Sequence, residues 1–318
     1  MRTKLYMIAL AAMTMMLGSC SESNSEFSQD YLADTPIKLN VSVDEPTTRA
    51  GYSDADKPTG FVLEVVNHNA DKYNYLVWAK KVGDSWKTYK PDETLKGGTD
   101  EEVTMLWANM NDKVDVTAFT NIGTITIPTD QTSDDQLKEA DVLYMPFTKY
   151  TPTNKGITVN LQHAMSKINL TIELGSEYEF SEEDVDLKIT DVKIDGSSVS
   201  GDLASGGIYD VSGAPIPISP FCTGTTPYSK TNGTITKAKA TYEAILIPQD
   251  IASGNFTVSF KVDGKLYEWA YDKELTLAPT TAYTLKLTAG DDKVQPVSFS
   301  VAPWNPGNGE NGEEKETD

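Results

Sequence analysis

Leu161-Gln-His-Ala-Met-Ser-Lys-Ile-Asn-Leu-Thr-Ile-Glu-Leu174 joins two alternating apolar runs. Upstream, Ile157, Val159 and Leu161 alternate with Thr158 and Asn160; downstream, Ile168, Leu170, Ile172 and Leu174 alternate with Asn169, Thr171 and Glu173. Apolar side chains at every second position mark a strand with one face buried and one wet. The runs meet at His163-Ala164-Met165, which reads as the junction of two β-domains. Ala164 is small enough to lie against a neighbouring domain, and His163 can hydrogen-bond across the junction. A satisfied interdomain polar residue is a simpler reading of His163 than a catalytic one.

On either side the pattern repeats. Ile37 to Val43 places Ile37, Leu39, Val41 and Val43 on one face. Further short strands are predicted at residues 61–66, 73–79, 103–107, 114–119, 122–127 and 157–161, with one helical turn at 135–140. That spacing, about seven strands broken by turn residues, predicts a β-sandwich. The second half reads alike, with strands at 168–174, 185–194, 240–247, 256–262, 266–271, 283–287 and 297–301. Apolar positions change phase between Ile189 and Val192, which predicts a β-bulge near Thr190-Asp191. The Ser- and Gly-rich segment 196–207 reads as a loop, and Pro215, Pro217 and Pro220 put the following segment at a sheet edge.

The chain has 318 residues and a formal net charge of −20. Its length suits two domains. The acidity removes nucleic acid from the expected partners, because phosphate binding needs a basic footprint. The two histidines, His68 and His163, stand in no triad, zinc or phosphate-loop spacing, so catalysis gains no support. No cofactor or metal is expected; Asp54 and Asp56 read more simply as a solvated turn than as part of a calcium loop.

Residues 1–19 combine the basic Arg2 and Lys4 with an apolar core, too short to span a membrane, and read as a secretory leader. Leu17-Gly18-Ser19-Cys20 resembles the lipobox of bacterial lipoproteins, which implies acylation at Cys20 and an outer-membrane lipid anchor. Residues 20–36 form a polar tether. With Cys20 acylated, Cys222 has no partner for a disulfide and reads as a plain thiol. Arg49 is the one arginine beyond Arg2, in the Pro- and Gly-containing loop 44–53. An arginine-specific protease could reach such a loop. From the residues alone, a solvated charge is the simpler reading.

Taken together, the lipobox at Cys20, Arg49-Ala50, His163-Ala-Met-Ser-Lys167, Ile247-Pro248-Gln249 and Ala302-Pro-Trp304 resemble the fimbrillin-like proteins of Bacteroidetes. The resemblance implies an all-β protein of two transthyretin-like Greek-key β-sandwich domains in tandem, residues 37–164 and 165–304, with an acidic tail at 305–318. It implies a non-enzymatic subunit of a cell-surface fimbria (stalk, tip or accessory), exported as a lipoprotein. An arginine-specific protease would cut between Arg49 and Ala50 and remove the strand bearing Ile37, Leu39, Val41 and Val43. Another pilin subunit would refill the groove by strand exchange, and this chain's own donor would be Val297, Phe299, Val301 and Trp304. Everything after Trp304 is polar, unlike a stalk subunit's extended apolar end, which points to a tip or accessory role or to no polymerisation. The alternative is a lipid-anchored surface protein that binds glycan or protein ligands of a host or bacterium through Tyr52, Trp86 or Tyr89.

Overall fold

The computed structural model describes residues 32–43, 51–53, 55–175, 178, 189–203, 209–231, 234–290 and 293–304. The first half contains β1 (Leu39–Val43), β2 (Gly60–Asn67), β3 (Tyr75–Val82), β4 (Ser85–Pro91), β5 (Gly98–Glu102), β6 (Val114–Phe119) and β7 (Gly123–Thr126). The helix α1 (Asp134–Ala140), β8 (Leu143–Tyr150) and β9 (Ile157–His163) complete it. Then come β10 (Ser166–Leu174), β11 (Ile189–Asp195), β12 (Ser198–Leu203), β13 (Tyr209–Pro215), β14 (Phe221–Thr226), β15 (Ser229–Thr231) and β16 (Thr234–Thr236). The last are β17 (Lys239–Leu246), β18 (Gln249–Ile251), β19 (Thr257–Val262), β20 (Lys265–Ala270), β21 (Leu275–Leu277), β22 (Thr281–Ala289) and β23 (Val294–Pro303). The protein is all-β, as its alternation predicts. Each half holds more than the expected seven or so strands.

Eight strands form the first sheet, in the order β1-β9-β8-β6-β2-β3-β4-β5. Its inner face carries Phe61, Leu63, Val65, Val77, Val116, Val159 and Leu161, all buried together with Trp107 and Met105. In the second half, a five-stranded sheet ordered β14-β17-β10-β22-β23 faces a three-stranded sheet ordered β11-β19-β20. β10 lies at the centre of the larger sheet because Ile168, Leu170, Ile172 and Leu174 all enter the core. It pairs antiparallel with β17 and parallel with β22.

The two cores do not part at one point of the chain. Ile125 and Ile127, Leu137 and Ala140 of α1, and Val142 all pack in the second core. β7 leaves the first sheet altogether and pairs with β12, which pairs in turn with β13. α1 opens with a capping box between Ser133 and Gln136, which satisfies two otherwise unpaired N–H groups at its start.

Several expectations need correction. Residues 103–107 alternate but form no strand; they meet residues 34–37 through single bonds, Trp107 N–H to Thr35 O at 3.0 Å and Ile37 N–H to Met105 O at 2.9 Å. β5, just before them, is exposed along its whole length and carries no apolar pattern to read. Segment 196–207 is not a plain loop, since β12 occupies Ser198–Leu203. Its cross-strand bonds outweigh the poor strand propensity of Ser and Gly. The expected bulge is present: the β11–β19 register shifts between Thr190 and Lys193, and Asp191 takes a left-handed φ of 51°. β14 is the edge strand that the prolines forecast.

Candidate assembly site

β1 is an edge strand with one ladder partner among the described residues. It runs parallel to β9, with Leu39 opposite Ile157, Val41 opposite Val159 and Val43 opposite Leu161. Val41 and Val43 are 8% and 3% exposed; Leu39 and Ile37 are half-buried against the same core. Ile37 lies before the ladder begins, so the strand is shorter than residues 37–43. At roughly 1.5–3 kcal/mol for each fully buried valine, apolar burial is the main hold on β1. Polar contacts add to it: Ser42 Oγ donates to Asn160 Oδ1 at 2.8 Å and Asn40 Nδ2 to Lys155 O at 3.0 Å. At the start of β9, Gly156 has a φ of +83°, and a Cβ there would lie 2.1 Å from Lys38 O. Only glycine leaves space for that carbonyl.

Upstream of β1 the chain is stitched down as well. Asp34 N–H bonds Trp107 O at 2.9 Å, and Asp34 Oδ1 accepts from Tyr73 Oη at 2.8 Å. Leu32 is buried in the first core. The proposed processing pair, Arg49 and Ala50, and the proposed lipidation residue Cys20 lie outside the described residues, as does Asp54.

β23 is an edge strand of the five-stranded sheet. It pairs antiparallel with β22 from Val294 opposite Ala289 to Pro303 opposite Thr281, with one register shift. The four candidate donor residues divide. Val297 and Val301 are 55% and 56% exposed. Phe299 is half-buried, with ring centroids 4.8 Å from Tyr271 and 6.2 Å from Tyr283. Trp304 is 2% exposed and faces inward.

Trp304 enters a buried polar cluster where the two cores meet. Its indole stacks on His163, with centroids 4.3 Å apart and planes 4° from parallel. His163 Nδ1 is 2.9 Å from Asp141 Oδ1, and both side chains are buried. Asp141 Oδ2 accepts from Tyr52 N–H at 2.9 Å. Lys167 Nζ lies 5.7 Å over the Trp304 ring and 2.9 Å from Glu243 Oε2. Burial pulls the Lys167 ammonium below the ordinary lysine range, while Glu243 opposes the shift. His163 therefore makes its hydrogen bond at the junction, but Asp141, Tyr52 and Trp304 were not legible as its neighbours. They are far apart in sequence, and Asp141 is one of 47 acidic residues.

The three aromatics suggested for ligand binding are each partly buried. Trp86 is half-buried against Phe61 at 5.1 Å, which corrects its reading as an exposed residue, and Tyr52 is half-buried. Tyr89 stands opposite Trp78 across β3 and β4. His68 is exposed and bonds Asp115 at 2.8 Å, and Asp56 pairs with Lys138 at 2.5 Å. Among the described residues no three His, Cys, Asp or Glu side chains gather as a metal site.

The sheets, with β1 and β23 as edge strands, define an all-β protein. A family model described as Fimbrillin-like matches residues 61–304, and the chain belongs to the fimbrillin-like family. Membership makes it a structural or adhesive protein, not an enzyme. The fold is similar to that of a candidate cell adhesion protein from Bacteroides ovatus, at 16% identity and a TM-score of 0.58, over 86% of this chain and 98% of that one. It is also similar to another from Bacteroides uniformis, at 16% identity and a TM-score of 0.53, over 85% of this chain and 98% of that one. Among curated proteins none matches the chain.

Proposed function

We propose that this protein is a subunit of a cell-surface fimbria that is exported as a lipoprotein through Cys20, processed after Arg49 and assembled by strand exchange. One observation carries the reading. β1 lies at a sheet edge, is paired among the described residues with β9, and ends at Val43, six residues before Arg49. Its loss would bare one ladder of β9 and the apolar row Ile157, Val159 and Leu161, an edge suited to an incoming strand. The donor would be an extended segment with apolar residues at alternate positions.

The C-terminal strand favours a narrower version of this reading. β23 is paired along its length, and Trp304 is sealed into the junction. Donation would require β23 to leave β22 and Trp304 to leave His163. A subunit that accepts a strand and offers none, a tip or accessory pilin, fits that cost better than a stalk pilin. Digestion with an arginine-specific protease, followed by mass measurement and size-exclusion chromatography with a donor peptide, tests the proposal. A single cut after Arg49 and tight uptake of the peptide are expected. A cut product that takes up no strand would leave the lipid-anchored binding protein as the better account.

A further inference from the structure

Gly51 and Tyr52 follow directly on the Arg49-Ala50 bond, and both lie against one buried carboxylate. A Cβ on Gly51, whose φ is +91°, would sit 2.5 Å from Asp141 Oδ2, the oxygen that accepts the Tyr52 N–H. Four residues on, Asp56 bonds Lys138, which also pairs with Asp134 at 2.6 Å. Tyr52 and Asp56 are thus each tied to α1 or its cap. Asp141 is the C-cap of that helix, its N–H bonded to Lys138 O at 3.1 Å, so its position is fixed by α1.

The second oxygen of Asp141 faces the other way, toward the end of the chain. It bonds His163 Nδ1, and the opposite ring nitrogen, Nε2, is buried without a hydrogen-bond partner. Trp304 Nε1 is likewise buried without one. Among the described residues the imidazole is therefore oriented by Asp141 and by the stack. Trp304 is held by that stack, by Lys167, and by its own N–H to Thr280 O at 2.7 Å. Thr280 N–H in turn bonds Met165 O at 3.0 Å, two residues from His163.

We propose that Asp141 and His163 form a latch joining the chain after the Arg49 loop to the end of β23, so that loosening either end loosens the other. The physical basis is that a buried carboxylate cannot lose one donor cheaply. When Tyr52 N–H withdraws, Asp141 must turn to find another partner, and His163 turns with it and unseats Trp304. Coupling of this kind is reciprocal by necessity, so withdrawal of Trp304 weakens the hold on Tyr52 equally. The latch would give the strand-exchange reading its regulation, linking the processing segment to the availability of the C-terminal strand.

Native-state hydrogen exchange on the uncut full-length protein tests the latch without requiring cleavage or exchange, so failure of the fimbrial reading leaves the result intact. The Tyr52 and Trp304 amides are each bonded and can be followed separately. In the wild type they should open together, with one free energy and one denaturant dependence. Trp304→Leu should speed exchange at Tyr52 tenfold or more, and Asp141→Ala should do the same at Trp304. With His163→Phe in the background, which keeps the stack but removes the bond to Asp141, each effect should fall below twofold. Independent opening of the two amides in the wild type would overturn the latch even if every variant failed to fold. Effects confined to the substituted residue's own neighbours would overturn it too.

Discussion

Gly156 and Lys38 approach so closely that a methyl group on the glycine would sit 2.1 Å from the Lys38 carbonyl oxygen. The contact lies where β1 enters its ladder with β9, and the positive φ of +83° makes the position unfavourable for any L side chain. Gly156→Ala should destabilise the uncut protein by more than the 1–2 kcal/mol expected for left-handed backbone alone. Urea denaturation checks the loss. Faster amide exchange at Val41 and Val43 should accompany it.

Val43 is 3% exposed in the first core and has no charged neighbour in its strand. Val43→Ala should cost about 2 kcal/mol, from two methyl-sized groups and the space they leave. Thermal unfolding of the uncut wild type and variant checks the loss.

Arg49→Lys should abolish the single cut by an arginine-specific protease while leaving the fold intact. Intact mass after limited digestion reads this directly. Cutting of the variant at the same rate would show that some other bond is the accessible one.

Lys167 and Glu243 form a buried ion pair, so breaking it from one side should be costly. Lys167→Met should lose about 3–5 kcal/mol, whereas the double variant Lys167→Met/Glu243→Leu should recover most of that. The depressed lysine also gives a sign for pH. The folded state releases this proton at lower pH than the unfolded chain, whose value is about 10.4. Between the two values the unfolded chain holds more protons, so stability gained from this group rises with pH. Wild-type stability relative to the double variant should climb as pH rises between the two values in a series of denaturation curves. A relative stability that fell there would contradict the direction of the shift.

The sequence-legible part of this fold is the part in which one side of a strand is dry. β9, β10 and β22 alternate along most of their length and lie at or near their expected positions. β4 was missed because Trp86, Lys87, Thr88 and Tyr89 are all half-buried, so its two faces do not differ. β5 was missed because Gly, Thr and acidic residues supply no apolar phase, and β12 because its apolar residues, Val199 and Leu203, are only two and stand four positions apart among Ser, Gly and Asp. Val103, Met105 and Trp107 gave the opposite error, an alternation produced by a segment that crosses the core without a ladder. At the candidate site, Val41 and Val43 could be read as a buried row, but the parallel partner could not. The Asp141–His163–Trp304 cluster has no local spacing, and only the meeting of the two cores brings it together.

The pairing of β1 with β9 also sets an order of events during folding. Ser42 and Asn160, which bond across it, are 118 residues apart, while β9 reaches its other neighbour, β8, through a short turn. Loops of that length close late compared with hairpins, because chain entropy must be overcome before any contact repays it. The rest of the first sheet can assemble while β1 is still searching, and β1 docks as the last piece. A strand that arrives last can leave without unravelling what formed before it. Of the described strands, the first to emerge in synthesis is thereby the one that waits longest for its partner.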